Sequence, residues 1–204
     1  MTAQDCLNAL REMRDVVFST VDQNGLPRAR IIDIMLVEDE KLYFCTARGK
    51  DFYLELIQNG NIAVTGLNRE WRTVRLTGKA ILLNNNKKYW IDRIFTENPS
   101  MNGVYPGESR YILDPFCIAS GQLEAFDLSK TPIERYYFAF GGEKAREAGF
   151  YITDGCIGCG TCAENCPQQC IESGEPYQIR QNNCLHCGLC AENCPTESIV
   201  RRGE

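Results

Sequence analysis

The feature that most constrains this 204-residue chain is a cysteine motif that occurs twice in its C-terminal quarter. Cys156 begins the run Cys-Ile-Gly-Cys-Gly-Thr-Cys-Ala-Glu-Asn-Cys-Pro, and Cys184 begins the run Cys-Leu-His-Cys-Gly-Leu-Cys-Ala-Glu-Asn-Cys-Pro. Both copies have the spacing C-x2-C-x2-C-x3-C-P, and each is followed by an isoleucine four residues after the proline, Ile171 and Ile199. This spacing is typical of cysteine ligands to iron-sulfur clusters.

The spacing also predicts how the ligands are shared. The first three cysteines of a copy form a loop that converges on one cluster, and we expect the fourth to begin a short helix that turns towards the other cluster. One 4Fe-4S cluster is therefore predicted to take these four ligands: Cys156, Cys159, Cys162 and Cys194. The second is predicted to take the complementary set: Cys184, Cys187, Cys190 and Cys166.

Other metal centres fit the motif less well. Zinc also binds C-x2-C pairs, but it takes four ligands in two pairs, whereas here a run of four recurs with its proline. The Cys-x-x-Cys-His motif of haem attachment is missing, because the only histidine, His186, lies between cysteines and not after them. We interpret His186 as a solvated loop residue. Cys170 stands where the second copy has Ser198, and it is either a small buried side chain beside a cluster or a spare ligand or redox thiol.

Cysteine and charge divide the chain at the same place. Residues 151–204 hold nine of the twelve cysteines, with three basic and seven acidic residues, whereas residues 1–150 hold nineteen basic and twenty acidic residues. We predict one domain over residues 1–140, a linker over 141–149 and a second domain over 150–204. The second domain resembles the two-cluster bacterial ferredoxin family over about residues 150–202, which implies a small α+β fold.

The N-terminal part has a strand-rich pattern. A capping box at Thr2 and Asp5 predicts a first helix to about Asp15, and short helices are expected at 50–58 and 86–97. Strands are predicted at 16–21, 28–37, 42–46, 62–67, 73–83, 116–126 and 135–140, with a hairpin turn at Asp22–Gly25. The sequence therefore predicts a mainly β (α+β) fold, an antiparallel split β-barrel with peripheral helices.

Two segments of this barrel carry residues suited to bind an anion. Thr46 ends a strand, Arg48 follows in a short loop, and Lys50 stands where the next helix begins. The Thr46 hydroxyl, both cations and the free helix amides could form one anion site. Arg28 and Arg30 alternate on one strand and share a face, so they either grip one phosphate together or form a solvated surface pair.

Several motifs together resemble the pyridoxamine 5'-phosphate oxidase-like FMN-binding split-barrel family. They are Gly25-Leu-Pro-Arg-Ala-Arg30, Leu42-Tyr-Phe-Cys-Thr46 with Lys50, Asn59-Gly-Asn-Ile-Ala-Val64 and Glu70-Trp-Arg-Thr-Val-Arg-Leu-Thr-Gly78. The resemblance implies a homodimer with FMN at the subunit interface. It implies these cofactor-binding residues: Arg28, Arg30, Ile31, Ile32, Asp33, Thr46, Lys50 and, more weakly, Thr73.

The function we expect is electron transfer linked to flavin chemistry. Oxidases that make pyridoxal phosphate have a lysine where this chain has Met35 and an Arg-x-His near the C-terminus, so we do not expect vitamin B6 oxidation. The leading hypothesis is an FMN-dependent, iron-sulfur oxidoreductase that passes electrons between two 4Fe-4S clusters and a flavin, to reduce or oxidise a small substrate. The alternative is a non-enzymatic electron carrier or redox sensor, whose acidic tail would dock on a redox partner protein.

The overall composition limits partners and location. A net charge of −5 argues against nucleic-acid binding. No apolar run approaches the roughly 20 residues that cross a bilayer, and the N-terminus lacks the pattern of an export signal. Because a reducing compartment suits dense cysteine ligation, we expect a cytoplasmic protein without membrane contact.

Overall fold

The computed structural model describes residues 1–203, which form two compact units. The first, here called the barrel unit, contains residues 1–68, 73–123 and 138–145. The second, here called the tail unit, contains residues 69–72, 124–137 and 146–204. Among the described residues, no helix is both long and apolar enough to cross a membrane.

The elements of the barrel unit follow the predicted order closely. Its helices are α1 (Ala3–Met13), α2 (Asp51–Gln58) and α3 (Lys87–Glu97), followed by 3-10 turns at Pro99–Gly103 and Gly107–Ile112. The strands are β1 (Asp15–Val21), β2 (Pro27–Asp33), β3 (Leu36–Glu38), β4 (Lys41–Ala47), β5 (Asn61–Leu67) and β6 (Arg72–Leu82), with β7 (Leu113–Asp127) and β8 (Glu134–Phe140) continuing into the tail unit.

These eight strands form one curled antiparallel sheet, as the sequence predicts. Its order is β2-β1-β5-β6-β7-β4-β3, and β8 pairs with β7. The predicted strand at 28–37 is wrong in one respect, because it is interrupted between β2 and β3. Ile34 and Met35 are both buried, and their N–H groups donate to Arg14 and Tyr43, so the chain leaves β1 here and joins β4.

A cluster of phenylalanines fills the interior of the half-barrel. The Phe44 ring lies 5.0 Å from that of Phe18 and 5.5 Å from that of Phe116, measured between centroids. Phe52 of α2 stacks on Phe44 at 5.8 Å. Phe18 alternates with half-buried neighbours on β1, whereas Phe44 and Phe116 lie in fully buried stretches of the central strands β4 and β7.

Two glycines allow β6 and β7 to cross closely. A Cβ atom on Gly78 would lie 2.6 Å from the Ser120 carbonyl oxygen, and one on Gly121 would lie 2.4 Å from the Thr77 carbonyl oxygen. Both distances are shorter than a carbon and an oxygen can approach without strain, so the sheet can curl here only because neither residue has a side chain.

The cysteine-rich part of the tail unit is built as two similar halves. Its strands are β9 (Phe150–Ile152), β10 (Ile171–Glu172), β11 (Gln178–Ile179) and β12 (Ile199–Arg201), and its helical turns are α4 (Thr161–Glu164), Gln181–Asn183 and α5 (Leu189–Glu192). Ile171 pairs with Ile179 and Ile199 pairs with Ile152, and both repeated isoleucines enter the local core.

The predicted helix at the fourth cysteine of each copy is wrong. The short helices α4 and α5 contain the third cysteine, Cys162 or Cys190, and end before the fourth. Gly160 and Gly188 precede these helices with φ angles of 81° and 85°, a left-handed conformation that turns the chain at that point.

Candidate cofactor sites

The eight motif cysteines line two separate cavities in the tail unit. Their grouping is the crossed one that the spacing predicts. One cavity is lined by three cysteines of the first copy and the last of the second: Cys156, Cys159, Cys162 and Cys194. The other is lined by the complementary four together with one more: Cys166, Cys184, Cys187, Cys190 and Cys170. Within residues 1–203, no three His, Cys, Asp or Glu side chains are grouped as ligands of a single metal ion.

Cys170 belongs to the surroundings of the second cavity. Its side chain is buried, and its Sγ lies 3.6 Å from the Sγ of Cys166. Hydrogen bonding between Cys170 and Cys184 lowers the pKa of Cys184 to about 6 and raises the pKa of Cys170. Cys170 therefore packs against two of the proposed ligands of the second cluster.

The interpretation of His186 as a solvated loop residue is wrong. Its side chain is half-buried, its Nδ1 lies 2.7 Å from the Arg135 guanidinium, and its ring is nearly parallel to that of Tyr137. Burial, with the neighbouring Arg135 charge, lowers the pKa of His186 to about 4. Because Arg135 can only donate, Nδ1 accepts and the neutral ring carries its proton on Nε2.

In the barrel unit, Arg28 and Arg30 lie on the edge strand β2 and line one cavity together with the turn at 22–24 and one face of α2. The Arg28 guanidinium lies 2.8 Å from the Asp22 carboxylate. Arg30 lies 2.7 Å from the Glu55 carboxylate and 4.6 Å above the Phe52 ring. A phosphate bound here would therefore have to share the arginines with Asp22 and Glu55.

Thr46 and Lys50 lie at the β4–α2 junction, as predicted. The Thr46 hydroxyl is buried and has no hydrogen-bond partner within residues 1–203, which fits a group that accepts or donates a bond to a ligand. Lys50 precedes α2, about 7–8 Å along the helix axis from Glu55. A hydroxyl and an ammonium at this junction are groups that can bind a phosphate, although neither residue lines the cavity of Arg28 and Arg30.

The remaining predicted flavin residues extend away from this end of β2. Ile31 is 61% exposed, Ile32 is half-buried, and Asp33 lies 3.5 Å from the Arg14 side chain. Thr73 lies on β6, where it pairs with Leu67 of β5, and β6 is the third strand from β2 in the sheet. The structure therefore brings Arg28 and Arg30 together at one cavity. The other predicted flavin residues do not line that cavity: Ile31, Ile32, Asp33, Thr46, Lys50 and Thr73.

Sequence reasoning missed the carboxylate that holds Arg30. Glu55 is 6% exposed and accepts hydrogen bonds from both Thr20 and Arg30. A signal was present, since Phe52, Glu55 and Leu56 have the spacing of one buried helix face and an acidic residue there needs a cationic or hydroxyl partner.

Comparisons with known proteins support the two-part organisation. Residues 3–101 match the family model described as pyridoxamine 5'-phosphate oxidase, and residues 155–198 match the 4Fe-4S dicluster domain. A ferredoxin from Butyribacterium methylotrophicum is 50% identical over 30 residues, which are 15% of this chain. The matched part spans about half of that ferredoxin, 54% of its length.

Solved structures share the fold of the barrel unit. A NimC/NimA family protein from Clostridium acetobutylicum has a TM-score of 0.57 at 18% identity, over 68% of this chain and 92% of that one. A protein related to general stress protein 26 from the same organism has a TM-score of 0.52 at 16% identity, over 66% and 94%. PhzG from Burkholderia lata 383, solved with tetrahydrophenazine-1-carboxylic acid, has a TM-score of 0.51 at 16% identity, over 71% and 85%. The N-terminal part of the chain therefore resembles the pyridoxamine 5'-phosphate oxidase family and has a split-barrel fold, and the C-terminal part resembles a 4Fe-4S dicluster domain.

Proposed function

We propose that the protein is an FMN-dependent, iron-sulfur oxidoreductase that passes electrons between two 4Fe-4S clusters and a flavin, and from there to or from a small substrate. The observation that carries this proposal is the joining of the two domains on one chain. A flavin exchanges two electrons with its substrate, whereas each cluster carries one, so two clusters match the electron count of one flavin.

Each cofactor is assigned its own set of binding residues in this proposal. Each crossed cysteine quartet that lines a cavity would bind one cluster through its thiolates, with Cys170 as a neighbouring thiol. Arg30, Thr46 and Lys50 would bind the flavin phosphate, and the outer edge of β2 would run along the rest of the cofactor. Arg28 is held by Asp22 and serves as a second guanidinium at the same cavity.

The assembly and location are part of the same proposal. A homodimer with flavin at the subunit interface is supported by the split-barrel resemblance and by the exposed apolar side chains of β2 and α2, Ile31, Leu54 and Ile57. A reducing cytoplasm suits a chain in which, within residues 1–203, none of the twelve cysteines forms a disulfide.

Cofactor content is the first test. Anaerobically purified protein should contain about eight iron and eight labile sulfide per chain, together with non-covalently bound FMN. Rapid mixing of the oxidised protein with a one-electron donor should then show cluster reduction, followed by flavin reduction at a rate independent of protein concentration. If the rate of flavin reduction rises with protein concentration, electrons pass between molecules and the internal relay is wrong. Stoichiometric zinc without labile sulfide would overturn the proposal.

The flavin phosphate site is tested by removing its cations. Replacing Arg30 and Lys50 together by alanine should lower FMN affinity at least tenfold, because a charge-assisted hydrogen bond contributes about 1.5–3 kcal/mol. Lys79→Ala, which removes an exposed lysine from β6, is the matched control and should leave the affinity unchanged. Equal affinities of the double variant and the control would refute this site.

A further inference from the structure

One short segment of the tail unit makes three hydrogen bonds to residues that lie beside the cysteines of the second cavity. This segment, residues 133–135, is the last residue of the β7–β8 connection and the first two residues of β8, and it is here called the clamp segment. The Ile133 N–H donates to the Gln168 side chain at 3.1 Å, and the Asn183 side chain donates to the Ile133 carbonyl oxygen at 2.9 Å. The Arg135 guanidinium donates to His186 at 2.7 Å.

All three partners stand next to proposed ligands of the second cluster. Gln168 follows Cys166 by two residues, Asn183 directly precedes Cys184, and His186 lies between Cys184 and Cys187. The backbone N–H of His186 also points to the Cys184 sulfur at 3.4 Å. The clamp segment is therefore bonded to each part of the chain that would supply ligands to that cluster, apart from the helical turn at Cys190.

Arg135 places a buried positive charge at this position. Its side chain is 11% exposed, and its guanidinium lies 4.4 Å from the centre of the Phe126 ring. The Glu124 carboxylate lies 3.4 Å from Arg135 Nε as an ion-pair partner, and it accepts a hydrogen bond from Tyr137 at 3.3 Å. The guanidinium is thus held between a carboxylate on one side and His186 on the other, with the cationic end facing the cysteine loop.

The first copy of the motif has a different environment at the same position. Its equivalent of His186 is Gly158, and a Cβ atom there would meet no atom of the structure within 4 Å. The matching loop is therefore open to solvent, whereas the loop of the second copy is packed against Arg135 and Tyr137. Two motifs that are nearly identical in sequence have unequal electrostatic surroundings.

We propose that Arg135 is a positioning residue that makes the two clusters inequivalent. It fixes the second-cluster loop through His186, and its charge raises the reduction potential of the second cluster relative to the first. The physical reason is that a reduced cluster carries one more negative charge than an oxidised one, and a nearby cation stabilises that form. An electron on the reduced first cluster would then pass to the oxidised second cluster, with one cluster oxidised, the other reduced and no proton taken up.

This inference rests on the proposed function, because it needs both clusters to be present. Its test is an anaerobic redox titration of the full-length protein, followed by electron paramagnetic resonance, which resolves the reduction steps without relying on turnover. Four variants are compared with the wild type. They are Arg135→Gln, Arg135→Lys, Glu124→Gln and Arg72→Gln.

The expected shifts have opposite signs. Arg135→Gln removes the cation and leaves the Glu124 charge, so one reduction step should move to lower potential by a three- to tenfold change in its equilibrium constant. Tenfold corresponds to 59 mV for a one-electron couple. Glu124→Gln should move the same step to higher potential, while Arg135→Lys should stay close to the wild type.

Arg72→Gln is the matched control, because Arg72 forms a similar ion pair in the tail unit, 2.9 Å from Asp127, and should move neither step. If Arg135→Gln does not assemble its clusters, the Glu124→Gln variant is the test: a shift to higher potential supports the inference, and a shift to lower potential overturns it. Shifts no larger than that of Arg72→Gln, or equal shifts of both steps, would overturn the inference. A wild type with one cluster or none would instead overturn the proposed function.

Discussion

Replacing Asp114 by asparagine should destabilise the barrel unit by about 2–3 kcal/mol. Asp114 lies opposite Thr46 in the β4–β7 pair and is 1% exposed. Its carboxylate is bonded to Arg48 at 3.2 Å, Lys87 at 3.0 Å and Tyr53 at 3.0 Å. One buried carboxylate therefore binds the β4–α2 loop through Arg48, α2 through Tyr53 and α3 through Lys87.

The magnitude follows from the exposure of the partners. Hydrogen bonds to a charged group contribute about 1.5–3 kcal/mol each, and two of the three partners here are cations. The Arg48 and Lys87 side chains are 44% and 37% exposed, so water compensates much of their loss when Asp114 is neutralised. The net effect is therefore much smaller than the sum of three such bonds.

The assay is anaerobic urea denaturation at pH 7 in a Trp71→Phe background, so that Trp90 alone reports. Trp90 belongs to the barrel unit and stacks on Tyr43 at 4.7 Å. Glu38→Gln is the control, because it removes an exposed ion pair with Arg93 and should cost less than about 0.5 kcal/mol. Equal midpoints for the Asp114 and Glu38 variants would refute the reasoning.

The stability difference between the wild type and Asp114→Asn should also depend on pH. Burial opposes ionisation of Asp114, but hydrogen bonds from Lys87, Tyr53 and Arg48 outweigh burial and lower its pKa below the ordinary value of 3.8. A carboxyl whose folded-state pKa is depressed stabilises the protein above its unfolded-state pKa and loses that contribution as the pH falls through the folded-state pKa. The difference in unfolding free energy between wild type and Asp114→Asn should be constant from pH 7 to about 5 and shrink below about pH 4.

Three further predictions concern the cysteines and the sheet. Cys170→Ala should retain about eight iron per chain, whereas Cys184→Ala should retain about four, and iron analysis that gives the same loss for both would make Cys170 a ligand. Gly121→Ala should lower the urea midpoint by the equivalent of about 1–3 kcal/mol, because its Cβ would lie 2.4 Å from the Thr77 carbonyl oxygen. An unchanged midpoint would show that β6 and β7 can move apart without loss of stability. Removal of the clusters by a chelator should unfold the cysteine-rich part of the tail unit, whose core beyond the cysteines is small, and protease resistance that survives chelation would contradict this.

Much of the fold was predictable because its signals are local. The capping box at Thr2 and Asp5 forms as predicted, and alternation along β6 buries Val74 and Leu76 while Arg75 is exposed. The crossed grouping of the cysteines was also accessible, because both copies place three ligands within seven residues. The short helices of the tail unit were misplaced, since a four-residue helix has no periodic pattern that distinguishes it from a turn.

The division between the sequence and the tertiary structure follows the range of each interaction. By itself the sequence determined the two domains' fold classes and the types of cofactor ligand, because spacing within a dozen residues specifies them. Only the tertiary structure decided that Arg30 is held by Glu55, 25 residues away, and that Arg135 reaches His186, 51 residues away. Such pairs depend on how separate elements pack, and packing decides whether a charged side chain is free to bind a ligand or is already neutralised by another part of the chain.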